Sequence, residues 1–218
     1  MSKVRIRYNT MEFGEDEIHV RTLRDKQQYS DENGEAAKRG ISSANWPLFG
    51  VIWDSGQVLA HHMYDYDAKG LRILEVGCAI GLASLVLNHR LMNITATDYH
   101  PSVERFLQKN VKLNEGQNIP FICTGWGDQD SGMGKFDLII GSDLLYEQSH
   151  VKLLSGFIEQ HASQNCDVIL VDPGRGNHAC FSKKMVNLGY SHSQKKPENT
   201  DYLTRAFRGQ ILQYHREK

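Results

Sequence analysis

The sequence contains no apolar run that approaches the length of a membrane-spanning helix, and residues 1–10 lack the apolar core of a signal peptide. Neither sign of charge dominates, since 25 Lys and Arg are balanced by 26 Asp and Glu for a net charge of −1. This balance gives no electrostatic basis for binding nucleic acid or an anionic membrane. The cysteines, Cys78, Cys123, Cys166 and Cys180, lack the spacing of a metal or redox motif. We therefore expect reduced thiols, no metal site and a cytoplasmic location.

The order of apolar segments predicts strands that alternate with helices from residue 72 onward. The predicted strands span residues 72–76, 93–98, 119–125, 136–142, 168–172, 190–195 and 206–215. Helices are predicted at 55–66, 82–89, 101–113, 150–161 and 181–188. Such alternation predicts a mostly parallel sheet with helices on both faces. No convincing helix separates the last two strands, which predicts that one of them is antiparallel.

The first 44 residues differ in pattern from the rest. Residues 4–20 alternate apolar and polar side chains around a Gly14 turn, which predicts a β-hairpin. Residues 24–43 are polar and charged, and we predict a loop that is either a solvated connector or a flap over the active site. We therefore divide the chain into residues 1–44 and a main domain at residues 45–218.

A glycine turn follows the predicted strand at 72–76. Gly77 and Gly81 bracket this turn, and a helical pattern begins directly after it. Backbone N–H groups and the positive end of the helix dipole converge at such a turn, so a polar or anionic ligand group can bind there. Ala79 and Leu82 stand at the second and third glycine positions of the G-x-G-x-x-G dinucleotide pattern. A hydride-transferring dehydrogenase is therefore disfavoured.

Polar or aromatic residues stand at the carboxyl ends of successive strands, where open parallel sheets bind ligands. They occupy residues 75–81, 98–100, 125–128, 142–147 and 172–175. Asp98 suits the hydroxyls of a ribose or, alternatively, caps the following helix. Trp126 offers a flat face for an adenine ring, with Asp128 as an acceptor for its amine, although a Trp in a turn can also be a core residue.

These residues together resemble the lysine-methyltransferase branch of the seven-strand S-adenosylmethionine (AdoMet) methyltransferases. The resemblance rests on Trp53, Glu75-x-Gly77, Asp98, Trp126-Gly127, Asp143-x-x-Tyr146 and the Asp172-Pro173-Gly174-Arg175 segment. It is closest to the electron-transfer-flavoprotein β-subunit lysine methyltransferases and covers residues 45–218. Related bacterial sequences are also labelled nicotinamide-type N-methylases. The family usually has a third glycine where this chain has Ala79.

The resemblance implies an α/β, Rossmann-like fold with a seven-stranded, mostly parallel sheet and an antiparallel terminal strand. It implies AdoMet as cofactor, bound by Trp53, Glu75, Gly77, Cys78, Ala79, Gly81, Asp98, Tyr99, Trp126, Gly127 and Ser142. The implied catalytic residues are Asp143, Tyr146 and Glu147, and the implied substrate-binding residues are Trp46, Asp143, Tyr146 and Arg175. Asp143 and Tyr146 would orient the acceptor amine, which must be neutral to attack. Alternatively, Tyr146 caps the sheet edge and Arg175 is a plain surface residue.

The resemblance leaves the methyl acceptor open. A protein lysine is the leading acceptor, which predicts a protein partner, and a small-molecule amine is the first alternative. A nucleic-acid amino-methyltransferase is disfavoured because the family pattern of two prolines and an aromatic residue is replaced here by Asp143-Leu144-Leu145-Tyr146. The remaining alternative is a methyltransferase-like binding protein without activity. The oligomeric state is not predicted.

Overall fold

The computed structural model describes residues 4–25, 29–128 and 132–217. Its elements in chain order are β1 (Ile6–Phe13), β2 (Asp16–Leu23), α1 (Glu35–Lys38), a 3-10 turn (Leu48–Gly50), α2 (Asp54–Asp65), β3 (Arg72–Val76), α3 (Leu82–His89), β4 (Asn93–Asp98), α4 (Val103–Leu113), β5 (Phe121–Cys123), β6 (Phe136–Ser142), α5 (Gln148–His161), β7 (Ala162–Asp172), α6 (His178–Asn187), β8 (Ser191–Lys195) and β9 (Gln210–Arg216). Within the described ranges, no helix combines the length and apolarity needed to cross a bilayer.

The main sheet has seven strands in the order β5-β4-β3-β6-β7-β9-β8. Strands β3 to β7 pair in parallel, whereas β9 is antiparallel to both β7 and β8. This confirms the predicted mostly parallel sheet with one antiparallel terminal strand. The chain runs outward from β3 to β5 and then returns to β6 on the other side of β3. Ligands bind at this kind of reversal, beyond the carboxyl ends of the strands.

Each face of the sheet has its own apolar core because successive strand residues point to opposite faces. Ile73 on β3 and Ile140 on β6 pack in the core shared with α2, α3 and α4. Their neighbours Leu74 and Ile139 pack in the other core, with α5 and α6. The two cores hold the strand ends in place, and these ends build the site described below.

The N-terminal hairpin, β1 and β2, is confirmed and packs beside the sheet. The β2 backbone donates to side chains of α4 and of the residue after it: the Arg21 N–H to Asn110 Oδ1 at 2.8 Å and the His19 N–H to Asn114 Oδ1 at 2.7 Å. Phe13 and Ile18 are buried in the same core as α2 and α3. The Asn110 and Asn114 side chains thus accept hydrogen bonds from backbone N–H groups along the outer edge of β2. The division of the chain at residue 44 stays a prediction.

Three strands differ from the predicted ones by more than one residue, and the first is the strand predicted at 206–215, which spans Gln210–Arg216. The predicted strand at 119–125 is only Phe121–Cys123, because Pro120 lacks an N–H to donate and the Gly125 N–H bonds to the Asp128 side chain instead. The predicted strand at 168–172 begins six residues earlier, at Ala162. The extension was not predicted because its residues, such as Gln164 and Asn165, are polar and give no apolar strand pattern. They are exposed where the strand projects beyond the core.

The segment predicted as a loop at 24–43 contains one helical turn, α1. The Asp31 carboxylate accepts the Ala37 N–H at 2.8 Å, and Ala36 is fully buried. A single buried alanine gives no periodic signal, so this turn was not predictable from hydrophobic spacing. Residues 26–28 of the predicted loop lie outside the described residues.

Candidate active site

A cavity of about 1040 Å³ lies at the carboxyl ends of β3, β4, β5 and β6. The residues predicted to bind cofactor all line it: Trp53, Glu75, Gly77, Cys78, Ala79, Gly81, Asp98, Tyr99, Trp126, Gly127 and Ser142. The predicted catalytic residues Asp143, Tyr146 and Glu147 line it as well, together with Arg175. Strand ends that are far apart in sequence therefore meet at one site.

The glycine turn between β3 and α3 forms the floor of the cavity. Gly77, Ala79 and Gly81 adopt left-handed φ values of 63°, 51° and 75°. A side chain on Gly77 would place its Cβ 2.7 Å from Leu144 Cδ2, so Leu144 would have to shift, and the left-handed φ also favours glycine there. Ala79 adopts the same backbone region with a methyl group, which is strained by about 1 kcal/mol. Ala79, which stands where the family usually has a third glycine, therefore adds backbone strain but keeps the left-handed conformation of the turn.

Glu75 is buried on β3 beneath this turn. Its Oε2 accepts the Ser84 N–H at 3.0 Å and the Ser84 hydroxyl, both from the first turns of α3. Burial raises the pKa of the Glu75 carboxyl to about 7, because desolvation outweighs these two donors. A positively charged ligand group above Glu75 would favour its ionised form.

Asp98 ends β4 with its carboxylate facing the turn. Its Oδ2 accepts the Ala79 N–H at 2.8 Å, and its Oδ1 accepts the His100 N–H at 2.8 Å. Burial nevertheless raises the pKa of Asp98 above its ordinary value. Each carboxylate oxygen can accept two hydrogen bonds, so capacity remains for a pair of ligand hydroxyls. The helix-capping alternative is not needed to explain this residue.

The aromatic wall of the cavity comes from Trp126 and Tyr99. Trp126 Cζ2 lies 3.8 Å from the position that a Cβ on Gly77 would take. Tyr99 donates its hydroxyl to the Arg39 carbonyl oxygen, which ties the segment after α1 to the wall. The Asp128 carboxylate accepts the Gly125 N–H at 2.6 Å. The acceptor predicted for a ligand amine is thus held in place by its own turn.

At the outer end of the cavity, Asp143 pairs with Arg175. The Arg175 Nε–H donates to Asp143 Oδ1 at 2.8 Å and an Nη2–H donates to Oδ2 at 2.7 Å. This ion pair raises the pKa of Arg175. Asp143 adopts a left-handed φ of 53°, and its N–H donates to the Val171 carbonyl oxygen at 2.9 Å. Arg175 is therefore more than a plain surface residue.

Tyr146 and Glu147 form the rim, where the cavity opens to solvent. Tyr146 is 53% exposed, so it does not act as a buried cap of the sheet edge. Burial of the hydroxyl end still raises the pKa of Tyr146, which keeps the phenol protonated. The cavity is acidic overall, because Glu75, Asp98, Asp128, Asp143 and Glu147 line it together with Arg175. It suits a ligand that carries positive charge.

Trp46 is the predicted site residue that the structure does not place in the cavity lining. Its indole N–H donates to the Ile41 carbonyl oxygen at 2.9 Å, which holds the lining segment rather than a ligand. Trp53 does line the cavity and donates to the Leu48 carbonyl oxygen at 3.1 Å.

Residues missed by the sequence analysis also line the cavity: Gly40, Ile41, Ser42, Asn45, His150 and Leu153. The sequence around residues 40–42 and Asn45 contains no motif that indicates a binding site, and only the fold brings these residues to the strand ends. Of the two alternatives for residues 24–43, the place of residues 40–42 in the lining favours the flap over the solvated connector. The His100 ring stacks on Phe49 with a distance of 4.2 Å between ring centroids. Burial lowers the pKa of His100 to about 4, so at neutral pH it lines the cavity as an uncharged ring. His150 is on the first turn of α5, four residues beyond the Asp143-x-x-Tyr146 motif, and this closeness to the motif could have indicated it.

The fold and the site together define a Rossmann-like domain that binds a nucleoside-type ligand at its central sheet reversal. The family model described as "Lysine methyltransferase" matches residues 44–185, and the chain belongs to that family. This confirms the resemblance found in the sequence.

Comparison with individual proteins finds sequence similarity to lysine methyltransferases. The chain is 32% identical over 140 residues to protein N-lysine methyltransferase METTL21A of Danio rerio, covering 59% of this chain and 63% of that protein. It is 28% identical over 133 residues to the electron transfer flavoprotein beta subunit lysine methyltransferase of Mus musculus, covering 59% and 51%. A likeness in fold extends to magnesium protoporphyrin IX methyltransferase from Synechocystis PCC 6803, solved with bound SAM, at TM-score 0.61 and 17% identity, covering 88% and 98%.

Proposed function

We propose that this protein is an AdoMet-dependent N-methyltransferase that methylates a lysine side chain of another protein. The observation that carries the proposal is the layout of one cavity. Its inner end is a glycine turn with buried carboxylates, and its outer end presents Asp143 and Tyr146 at the surface. Membership of the lysine methyltransferase family supports the same reaction.

The inner residues fit AdoMet. The cavity volume lies at the upper end of the range for small-molecule sites. Gly77 adds no side chain to a turn that already lies against Leu144, and Asp98 has acceptor capacity for the ribose hydroxyls. Glu75 lies below the turn as a counter-charge for the cationic methionine end, and Trp126 offers a face to the adenine ring. When bound, AdoMet supplies a methyl group on a positively charged sulfur.

The outer residues position the amine. A lysine ammonium must lose one proton before its nitrogen lone pair can attack. The amine nitrogen then forms a bond to the methyl carbon as the carbon–sulfur bond breaks and its electron pair stays on sulfur. Asp143 and Tyr146 orient this nitrogen, Glu147 contacts the acceptor beside it, and Arg175 holds Asp143 in position. Holding the two reactants together and excluding water supplies most of the acceleration.

The acceptor is a protein because the amine site is at the surface. Tyr146 is more than half exposed and Glu147 is also exposed, so a long side chain on a folded partner can reach Asp143. A small amine would make few contacts at such an open rim and would gain little binding energy there. A cytoplasmic location is part of the proposal and is supported by the four free cysteines.

The test uses radiolabelled AdoMet with the purified protein in an extract of source-organism cells that lack the gene. We expect one discrete labelled protein band, with the label on lysine after hydrolysis. Asp143→Ala should abolish the labelling while AdoMet binding and folding persist. Val186→Ala, an exposed change on α6, is the matched control and should retain full labelling.

Other outcomes contradict the proposal in distinct ways. Label confined to the small-molecule fraction would establish an amine N-methylase. AdoMet binding without any transfer would favour the binding protein without activity. Full activity of a folded Asp143→Ala protein would remove Asp143 from the mechanism.

A further inference from the structure

His150 lies between the cofactor end and the acceptor end of the cavity. It is on the first turn of α5 and lines the cavity with its side chain 14% exposed. Its ring packs edge to face against Trp126 at 5.0 Å and against Tyr146 at 4.4 Å between ring centroids. Trp126 in turn lies over the position of a Cβ on Gly77. A continuous row of contacts therefore leads from the glycine turn through His150 to the rim.

The hydrogen bonds of His150 determine which ring nitrogen carries the proton. Nδ1 lies 2.8 Å from the Leu144 carbonyl oxygen. A carbonyl oxygen can only accept, so Nδ1 carries the hydrogen and donates it. In the neutral ring Nε2 is then an acceptor with a free lone pair. The backbone carbonyl thus fixes the tautomer and the ring orientation, as a third group does for the base of a catalytic triad.

A carboxylate faces Nε2 of His150 without occupying its lone pair. Nε2 lies 3.7 Å from Glu147 Oε2, and a carboxylate cannot donate a hydrogen to it. Once Nε2 gains a proton, the same carboxylate becomes its ion-pair partner. The other titratable groups in this part of the lining are Tyr146, Asp128, Asp143 and Arg175. The last two neutralise each other as an ion pair.

The other oxygens at this end are poorer proton acceptors. Both carboxylate oxygens of Asp143 already accept hydrogen bonds from Arg175, which occupies them. The Tyr146 phenol stays protonated because burial raises its pKa. Glu147 lies at the solvent-exposed rim of the cavity, where it faces His150.

We propose that His150 is the general base of the reaction and takes the proton from the acceptor ammonium on Nε2. This inference rests on the proposed function and names a residue outside the predicted site. The N–H bond of the ammonium breaks, its electron pair stays on the amine nitrogen, and an imidazolium forms beside Glu147. After methyl transfer the imidazolium returns this proton to solvent. Neutral lysine is thereby supplied at a pH well below the pKa of a free lysine.

The test measures kcat against pH for the wild type and for His150→Gln, at saturating AdoMet and acceptor protein. The wild type should show a rising limb of kcat with pH, well below the pKa of lysine, that His150→Gln lacks. His150→Gln should lose about 100-fold in kcat at pH 7, with activity rising toward the pKa of lysine. AdoMet affinity and thermal melting should match the wild type, and His89→Gln, an exposed histidine, is the matched control.

A second variant separates a chemical role from a structural one. His150→Ala should regain activity when imidazole is added, in proportion to the neutral imidazole present, whereas Asp143→Ala should not. Wild-type kcat and pH profile in folded His150→Gln would overturn the proposal, as would a failure of imidazole to rescue folded His150→Ala. AdoMet binding by the wild type with no transfer at any pH would instead overturn the proposed function and the role of His150 with it.

Discussion

Arg175 holds Asp143 by two parallel hydrogen bonds, from Nε–H to Oδ1 at 2.8 Å and from Nη2–H to Oδ2 at 2.7 Å. The loop that carries Arg175 is itself fixed, because Asp172 Oδ1 accepts the N–H groups of Gly174 and Arg175 at 2.8 Å and 3.2 Å. A residue at the end of β7 thereby positions a carboxylate at the end of β6. An acceptor ammonium approaching Asp143 meets a neutral ion pair rather than a bare negative charge.

Replacing Arg175 should separate acceptor binding from turnover. In Arg175→Met the unpaired Asp143 attracts the ammonium, so KM for the acceptor should fall several-fold. Loss of the nearby positive charge raises the pKa of the bound amine, and each unit lowers the neutral fraction tenfold, so kcat should fall about tenfold. Steady-state kinetics with a fixed protein acceptor measures both changes. Arg205→Met, an exposed control, should change neither, and a raised KM in Arg175→Met would show that Arg175 itself binds the acceptor.

The stability of the protein should depend on the protonation of Glu75. The folded-state pKa of about 7 lies above the ordinary value of 4.5, so folding favours the protonated form. The stabilisation from this group is full below pH 4.5 and is lost as the pH rises through 7. Glu75→Gln lacks this titration. Between pH 5 and pH 8 the wild type should therefore lose about 2 kcal/mol of unfolding free energy relative to Glu75→Gln.

Urea denaturation of both proteins at the two pH values measures this difference, and effects of other groups cancel in the comparison. A gap between the two proteins that stays constant with pH would show that the Glu75 pKa is not raised. The same variant should bind AdoMet at least about tenfold more weakly, because one negative charge beneath the turn is lost.

The methyl group of Ala79 should lower the stability of the protein through backbone strain and should not improve AdoMet binding. Its φ of 51° is unfavourable for a side chain, so Ala79→Gly should raise the unfolding free energy by up to about 1 kcal/mol. Leu91 has a φ of 59° and is exposed outside the cavity, which makes Leu91→Gly a matched control with a similar gain. AdoMet affinity should stay within twofold in both. A loss of stability confined to Ala79→Gly would mean that its methyl group packs favourably.

The hydroxyl of Tyr99 should slow the release of AdoMet. It donates to the Arg39 carbonyl oxygen and so ties the lining segment at 40–45 to the end of β4. One such hydrogen bond is worth about 1 kcal/mol, so Tyr99→Phe should raise the AdoMet dissociation rate about threefold to tenfold in stopped-flow measurements. Tyr64→Phe removes a comparable hydrogen bond, to Asp16, away from the cavity and should leave the rate unchanged. An unchanged rate in Tyr99→Phe would show that the segment does not gate release.

Much of this protein was predictable because its signals are local. Hydrophobic spacing indicated the seven strands of the sheet, and residues at their carboxyl ends, such as Glu75, Asp98 and Asp143, line one cavity. The parallel sheet explains this success, since it brings all those ends to one edge. The short β5, the long β7 and helix α1 were predicted wrongly or missed, because a proline, an exposed polar strand end and a single buried alanine do not show in periodicity.

By itself, the sequence determined the fold class, the family and the residues of the glycine turn, because these depend on spacing along one segment. The tertiary structure alone decided that Arg175 engages Asp143 and that residues 40–42 and Asn45 line the cavity. It decided as well that the His150 ring packs against both Trp126 and Tyr146. It also placed Trp46 outside the lining. The physical reason is distance in the chain: side-chain pairing across 32 residues depends on how strands and helices pack, which no local pattern encodes.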